Sequence, residues 1–229
     1  MKKSTLIPFL VVAFISLTFF QSCKKDKEPE QEVPVPDQTA TFELDNVASA
    51  TAAGWTFKNR SDGQIPGSSY GFANDNTFPA YSGAGYIFAS FEAGDGVISV
   101  WAISPKVILQ NGDKISFYTR TYNEYGFPPV YPDRLQLRMS VADKDSVGDD
   151  ASSVGLFKVS LVDVNPGLSA TLPTGFPEAW TKFEGTVTGL SKPTAGRYAF
   201  RYFVEDGGSS GSNSLAIGLD KVQYTSINH

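Results

Sequence analysis

Residues 197–204 read R-Y-A-F-R-Y-F-V, and the alternation within them decides the fold. In an extended chain successive side chains point to opposite faces. Tyr198, Phe200, Tyr202 and Val204 therefore share one face, and Arg197, Ala199 and Arg201 share the other. This period of two marks a strand with one buried face. The pattern recurs upstream. In 134–140, R-L-Q-L-R-M-S, Leu135, Leu137 and Met139 oppose Arg134, Gln136 and Arg138. In 117–122, F-Y-T-R-T-Y, Arg120 lies between Tyr118 and Tyr122. Each of these strands carries its arginine on a single face.

Further strands are predicted near 41–45, 54–58, 85–91, 97–103, 155–163, 181–188 and 215–225, from short β-branched and aromatic runs. Turn chemistry separates them: Asn111-Gly112-Asp113, Asn165-Pro166-Gly167, Gly207-Gly208 and Gly211. Residues 40–229 show no long helical periodicity and no repeat of solenoid or propeller length. The expected fold is all-β, a jelly-roll-like β-sandwich of about ten antiparallel strands.

Before this domain the chain changes character. Lys2 and Lys3 precede an uncharged apolar run, Leu6–Phe20, which is shorter than the roughly 20 residues of a membrane span. The run ends at Gln21-Ser22-Cys23, and Cys23 is the sole cysteine. A cysteine at that place is where a bacterial lipoprotein is cleaved and acylated, so residues 1–22 read as a lipoprotein signal peptide and Cys23 as the lipidation site. A plain cleaved signal with a chance cysteine, or an uncleaved anchor, are the other readings. Two or three acyl chains make a stable membrane anchor, at ~0.8 kcal/mol per buried CH₂. Residues 23–39 are charged and proline-rich, K-K-D-K-E-P-E-Q-E-V-P-V-P-D-Q after the cysteine, and read as a disordered tether. At ~3.1 Å per residue this tether reaches roughly 45 Å. Charges directly after the cysteine resemble the surface-export signals of Bacteroidetes lipoproteins, although here lysines come first. The expected address is the cell envelope, as an outer-membrane lipoprotein exposed at the surface.

Charge and residue types exclude several functions. The formal net charge is −5, and it falls to about −7 once residues 1–22, with two lysines and no acids, are removed. That opposes non-specific nucleic-acid binding, which needs basic surface. The single histidine is the terminal His229, and Cys23 is assigned to the lipid, so Ser/His/Asp and Cys/His catalysis and histidine-based zinc sites have no residues to build them. No P-loop or dinucleotide fingerprint is present, and Gly83-Ala84-Gly85 is not followed by a helical pattern. Paired-carboxylate glycosidase chemistry, with two acids roughly 5–10 Å apart, is left open by one-dimensional spacing.

Several motifs occur in a fixed order. Trp101-Ala102-Ile103-Ser104-Pro105 leads to Val107-Ile108-Leu109 and the turn Asn111-Gly112-Asp113. Ser116-Phe117-Tyr118-Thr119-Arg120-Thr121, Pro132-Asp133-Arg134-Leu135, Gly196 to Tyr202, and Ile217-Gly218-Leu219-Asp220 follow, and Gly54-Trp55 comes before. This series resembles the choice-of-anchor J domain family, which is related to the cleaved-adhesin domains of bacterial surface proteins. Ala102 departs from the leucine usual there. The resemblance implies a jelly roll similar to MAM and carbohydrate-binding-module folds, used as an accessory or adhesive surface module. It also implies a structural Ca²⁺ joining the first strand to the last. Here Glu43 and Asp45 would face one side of the first strand and meet Asp220 of the last, with Asp75 or Asp95 adding oxygens. The alternative is that Glu43 and Asp45 face solvent and Asp220 accepts backbone amides in a turn. The acidic stretch 144–150 lacks EF-hand spacing and reads as solvated.

For a ligand site, sugars favour aromatic surfaces beside a few convergent polar groups. Tyr122, Tyr125, Phe127 and Tyr131 fall in a proline-rich loop, flanked by Arg120 and Arg134. With Arg138 and Arg201 these arginines form a candidate face for an acidic glycan or a protein. The alternative is that the arginines pair with local acids such as Asp133 and Glu205 while the tyrosines cover an edge. Trp101 reads as sandwich core and Trp180 as packing. The expected function is non-enzymatic surface adhesion or glycan binding. The alternatives are a structural or assembly protein with a protein partner, and, further off, a glycoside hydrolase using acidic residues. If Cys23 carries the lipid, Cys23→Ser will move the protein out of the membrane fraction on cell fractionation. Equal retention of variant and wild type would remove that assignment.

Overall fold

The strand at 197–204 becomes the centre of one of two facing antiparallel sheets. The computed structural model describes residues 38–42, 46–65, 70–122 and 131–226. In chain order the strands among them are β1 (Gln38–Phe42), β2 (Thr56–Asn59), β3 (Gly71–Ala73), β4 (Tyr86–Ser90), β5 (Gly96–Ile103) and β6 (Val107–Leu109). Then come β7 (Lys114–Thr121), β8 (Leu135–Ser140), β9 (Val159–Val164), β10 (Thr181–Thr186), β11 (Thr194–Gly207) and β12 (Ala216–Ser226). One short helix, α1 (Val47–Ala52), follows β1, and the Asn46 side chain caps it by accepting from the Ser49 N–H at 2.9 Å. The first sheet runs β10-β7-β12-β4-β3, with β1 also on β12. The second runs β2-β5-β11-β8-β9, with β6 also on β11.

All ten predicted strands are present, with shifted ends. Two strands had no sequence signal: β3 and β6 have three residues each, too few to show alternation. The segment 155–158, predicted as the start of a strand, is a turn at 155–156 followed by irregular backbone, and β9 begins at Val159. β1 begins at Gln38, within the stretch expected as tether.

Alternation fills the space between the sheets. Tyr198, Phe200, Tyr202 and Val204 of β11 and Leu135, Leu137 and Met139 of β8 face Ile115 and Phe117 of β7 and Ile217 and Leu219 of β12. All are buried. Phe117 meets Phe200 edge-on at 4.9 Å between ring centroids, and Trp55 stacks beside Phe200 at 6.3 Å. Each such aromatic contributes roughly 1.5–3 kcal/mol by burial. In β12 the alternation slips by one residue. The register shifts between Asp220 and Gln223, and Lys221 adopts φ 46°, a left-handed value uncommon outside glycine and asparagine. This bulge keeps Val222 and Tyr224 facing inward after Ile217 and Leu219.

Apolar residues also cover the outside of the second sheet. Trp101 and Ile103 of β5 and Ala199 of β11 point away from the sandwich interior and form a separate buried cluster with Val147 and Phe157. Trp101 is thus buried as predicted, but beneath the 141–158 segment and not between the sheets. Its indole N–H donates to Ser99 Oγ at 3.1 Å.

One buried carboxylate ties the sheets together. Asp133 accepts from Thr121 Oγ1 in β7 at 2.6 Å, from the Tyr202 hydroxyl in β11 at 2.6 Å and from the Leu215 N–H at 2.9 Å. It therefore pairs with no arginine. Burial pushes its pKa up to about 6, against the lowering effect of those hydrogen bonds. A native pKa above the unfolded value of about 3.9 stabilises the fold at low pH, and that contribution is lost as pH rises through about 6. The stability of wild type relative to Asp133→Asn should fall by roughly 2–3 kcal/mol between pH 4 and pH 7. Denaturant unfolding of both proteins across that range checks it. A difference independent of pH would overturn it.

Candidate functional site

The outer face of the first sheet is built around a missing side chain. Alternation along β7 points Tyr118, Arg120 and Tyr122 outward, and the register sets Gly218 of β12 opposite Arg120 and Phe88 of β4 opposite Gly218. A Cβ at Gly218 would lie 2.6 Å from Trp180, 2.9 Å from Phe78 and 3.1 Å from Tyr86. The glycine lets these three rings sink onto the sheet. Phe78, although in a loop, is fully buried, with ring centroids of Tyr86, Tyr122 and Trp180 at 4.7, 5.6 and 5.7 Å. The Trp180 N–H donates to the Pro79 carbonyl at 3.0 Å.

The 74–85 loop is held over this face by carboxylates and amides. Asp75 accepts from the Thr77 hydroxyl and from the Thr77 and Phe78 N–H groups at 2.7–2.8 Å. These bonds, the hydroxyl's first, hold its pKa below the usual range. Asn74 accepts from Ala80 N at 3.1 Å and donates to the Ala84 carbonyl at 2.9 Å. Asp220, just before the β12 bulge, accepts from Tyr81 N at 2.8 Å and Ser82 N at 3.0 Å, and from Lys221 N at 2.6 Å. These anchors lay Tyr81 flat on Tyr118, with centroids 3.8 Å apart and planes 17° apart. Tyr81 keeps 41% exposure, and Lys221 Nζ stands over its ring, 5.9 Å from the centroid.

The predicted ligand residues separate into three places. Arg120 and Tyr122 belong to this aromatic face, where the Arg120 guanidinium lies over Phe78 at 4.6 Å. Partial burial lowers its pKa, with Tyr86 and Glu178 acting in the opposite sense. Tyr131, half exposed, lies at the end of the sandwich with Phe91, Gly208, Ser209, Gly211, Ser214 and Leu215 around a cleft of about 220 Å³. Tyr122 N donates to the Ala216 carbonyl at 2.9 Å, so both tyrosines belong to the same end of the molecule. Tyr125 and Phe127 lie outside the described residues.

Arg134 lies on the opposite sheet. Its Nε and Nη2 hold Asp163 at 2.9 and 2.7 Å, and that pairing raises its pKa. The expected common arginine face is therefore corrected. β7 joins one sheet and β8 and β11 the other, so Arg120 is separated by the whole sandwich from Arg134, Arg138 and Arg201. Arg201 is buried between Trp101 and Phe203, at 4.9 and 3.8 Å, and donates to Ser99 Oγ and to the Ala151 carbonyl. Burial pushes its pKa down to about 9.

Glu43 and Asp45, expected at a calcium seam, lie outside the described residues. Their expected partner Asp220 accepts backbone N–H groups at both carboxylate oxygens, from Tyr81 and Ser82 at one and from Lys221 at the other. Among the described residues no three His, Cys, Asp or Glu side chains converge as a metal site would require. Sequence reasoning did not single out Phe78 or Tyr81, because both sit in a loop whose contacts are with strands far along the chain.

No protein-family model matches the chain, and no curated protein does. Among solved structures it is similar to the K1 cleaved adhesin domain of Lys-gingipain from Porphyromonas gingivalis, with a TM-score of 0.54 and 16% identity over 83% of this chain and 99% of that one. The K2 domain gives 0.51 and 20% over 83% and 98%. The K3 domain gives 0.50 and 14% over 82% and 98%. The fold is therefore cleaved-adhesin-like, and the choice-of-anchor J resemblance rests on its ordered motifs alone. If Gly218 makes room for the aromatic face, Gly218→Ala will displace Trp180 and Phe78 and cost about 1–3 kcal/mol by overpacking. Acrylamide quenching of tryptophan will rise, since Trp55 and Trp101 are buried away from this face. Unchanged quenching and unchanged melting would contradict this role for the glycine.

Proposed function

We propose that this protein is a non-catalytic, lipid-anchored module of the cell envelope that captures glycans on the outer face of its first sheet. One observation carries the reading: the exposed Tyr81 ring, held rigid by stacking on Tyr118 and flanked by Trp180 at 6.4 Å. Such a ledge offers a flat apolar surface to the C–H face of a sugar at little entropic cost. Polar groups stand around it. Lys182 is the cross-strand partner of Tyr118, and its side chain is half exposed. Asp75 and Asp220, the carboxylates built into this face, serve as acceptors for loop N–H groups, which favours binding over acid–base chemistry.

The chain enters the first sheet at the end of β12 away from Tyr122 and Tyr131. Gln38, where the chain enters β1, pairs with Ser226 at one end of β12. Ala216 at the other end, roughly 35 Å away at ~3.3 Å per residue, adjoins the Tyr122 and Tyr131 end. The fold likeness adds no ligand, since similar folds serve many functions.

The test is a glycan array probed with the detergent-solubilised protein, with and without calcium, using wild type and Tyr81→Ala. Wild type should bind a defined glycan set, and the variant should bind at least about tenfold more weakly, ~1.4 kcal/mol, with an unchanged melting temperature. A blank array for wild type, or full binding by Tyr81→Ala, would overturn the proposal, and a blank would direct the search to a protein partner.

A further inference from the structure

We propose that Arg120 binds a carboxylate, so that the ligand class is a uronic-acid-type glycan whose acid group docks beside the Tyr81–Tyr118 ledge. The inference rests on the glycan reading above and names the chemistry of its ligand. Arg120 differs from the other five arginines of the chain. Arg134 and Arg197 hold Asp163 and Asp143. Arg138 donates through Nη1 and Nη2 to Gln136 and to the Lys158 carbonyl, and Arg201 through Nη2 to the Ala151 carbonyl. Arg60 donates to the Gly148 and Asn59 carbonyls. Among the described residues Arg120 donates only through Nε, to the Thr121 carbonyl at 3.2 Å. Among the described residues its two terminal amino groups reach no acceptor, and no carboxylate forms an ion pair with it.

A guanidinium carries five N–H donors, and removing it partly from water is unfavourable unless those donors are satisfied. Arg120 is partly buried, with one face against Phe78. The Phe78 contact and the Nε bond hold the guanidinium in place and leave its terminal amino groups for a partner. A planar carboxylate matches this edge with two parallel hydrogen bonds.

Position supports the assignment. Arg120 and Tyr118 are two residues apart on one face of β7, about 7 Å, the reach of one sugar ring and its substituent. A sugar ring resting on Tyr81, itself stacked on Tyr118, would bring an acid group toward Arg120. Cations surround the ledge: Lys182 lies opposite Tyr118 on one side, and Lys221 leans toward Tyr81 on the other. The nearby acids are occupied in other ways. Asp75 and Asp220 accept loop N–H groups, and Glu184 pairs with Lys114 at 2.8 Å and with Lys182 at 3.8 Å. Glu178 attracts Arg120 without forming an ion pair with it. The chain as a whole is acidic, at −5, so an acidic ligand is attracted by this face and repelled elsewhere.

The experiment measures binding of the detergent-solubilised protein to uronic-acid oligosaccharides, oligogalacturonate and oligoglucuronate among them, each paired with its methyl ester. The ester keeps the sugar rings and removes only the charge. The expected result is at least a tenfold preference for one acid over its ester, weakened by raising salt from 50 to 500 mM. Arg120→Gln should remove the preference but keep ester binding, and Arg120→Lys should retain part of it. Equal binding of acid and ester by wild type would overturn the carboxylate assignment and leave the glycan reading standing, and so would an undiminished preference in Arg120→Gln. Tighter binding of sulfated than of carboxylated oligosaccharides would overturn it as well. Failure of every acidic and neutral glycan would overturn both proposals. The wild-type comparison needs no variant, so the carboxylate assignment stays testable even where Arg120→Gln fails to fold.

Discussion

Two sheets of six strands are held together by aromatic side chains that meet across the gap between them. Phe117 of β7 against Phe200 of β11 is the central contact, and Trp55, Tyr198 and Tyr224 extend it to both sides. Every strand that contributes to this contact must turn its other face outward. In β5, β7, β11 and β12 those outer faces are not simply polar. They carry Trp101, Ile103 and Ala199 on one sheet, and Tyr118 and Tyr122 around Gly218 on the other. The constraint that builds the core therefore creates two further surfaces that need covering.

The two surfaces are covered differently. On the second sheet the 141–158 segment lays Val147 and Phe157 over Trp101, and Arg201 closes the space as a buried cation between two aromatic rings. Its donors are met by Ser99 and a backbone carbonyl. On the first sheet the 74–85 loop inserts Phe78 and leaves Tyr81, Tyr118 and Arg120 at the boundary with water. One outer layer is closed and its arginine satisfied within the protein. The other is open, and its arginine offers donors outward. That contrast is the physical basis for placing function on the first sheet.

Asp220 shows how the open layer is kept in shape. The β12 bulge turns its carboxylate toward the loop, where it gathers the N–H groups of Tyr81 and Ser82. The same residue, read from its place at the end of the last strand, had suggested a calcium ligand. The donors around it describe an anchor for the residue that forms the ledge. Asp133 has a comparable role inside the sandwich, bridging β7 and β11 where acid pairing with arginine had been one alternative.

The amino-acid sequence by itself determined the strands that alternate strongly, and which side chains on each share a face. Leu135, Leu137 and Met139, or Tyr198, Phe200 and Tyr202, are buried together as their spacing requires. It placed Tyr118, Arg120 and Tyr122 on one face of one strand, which is half of the candidate site. It did not determine which sheet a strand joins, because that depends on hydrogen-bonded pairing between residues about a hundred positions apart, such as Gly218 with Arg120. Only the tertiary structure decided that Arg120 and Arg134 lie on opposite sides of the sandwich. Only it showed that Trp101 is buried under a loop and that Phe78 and Tyr81 complete the aromatic face. Alternation fixes faces within a strand; long-range pairing and loop coverage decide which of those faces meets water.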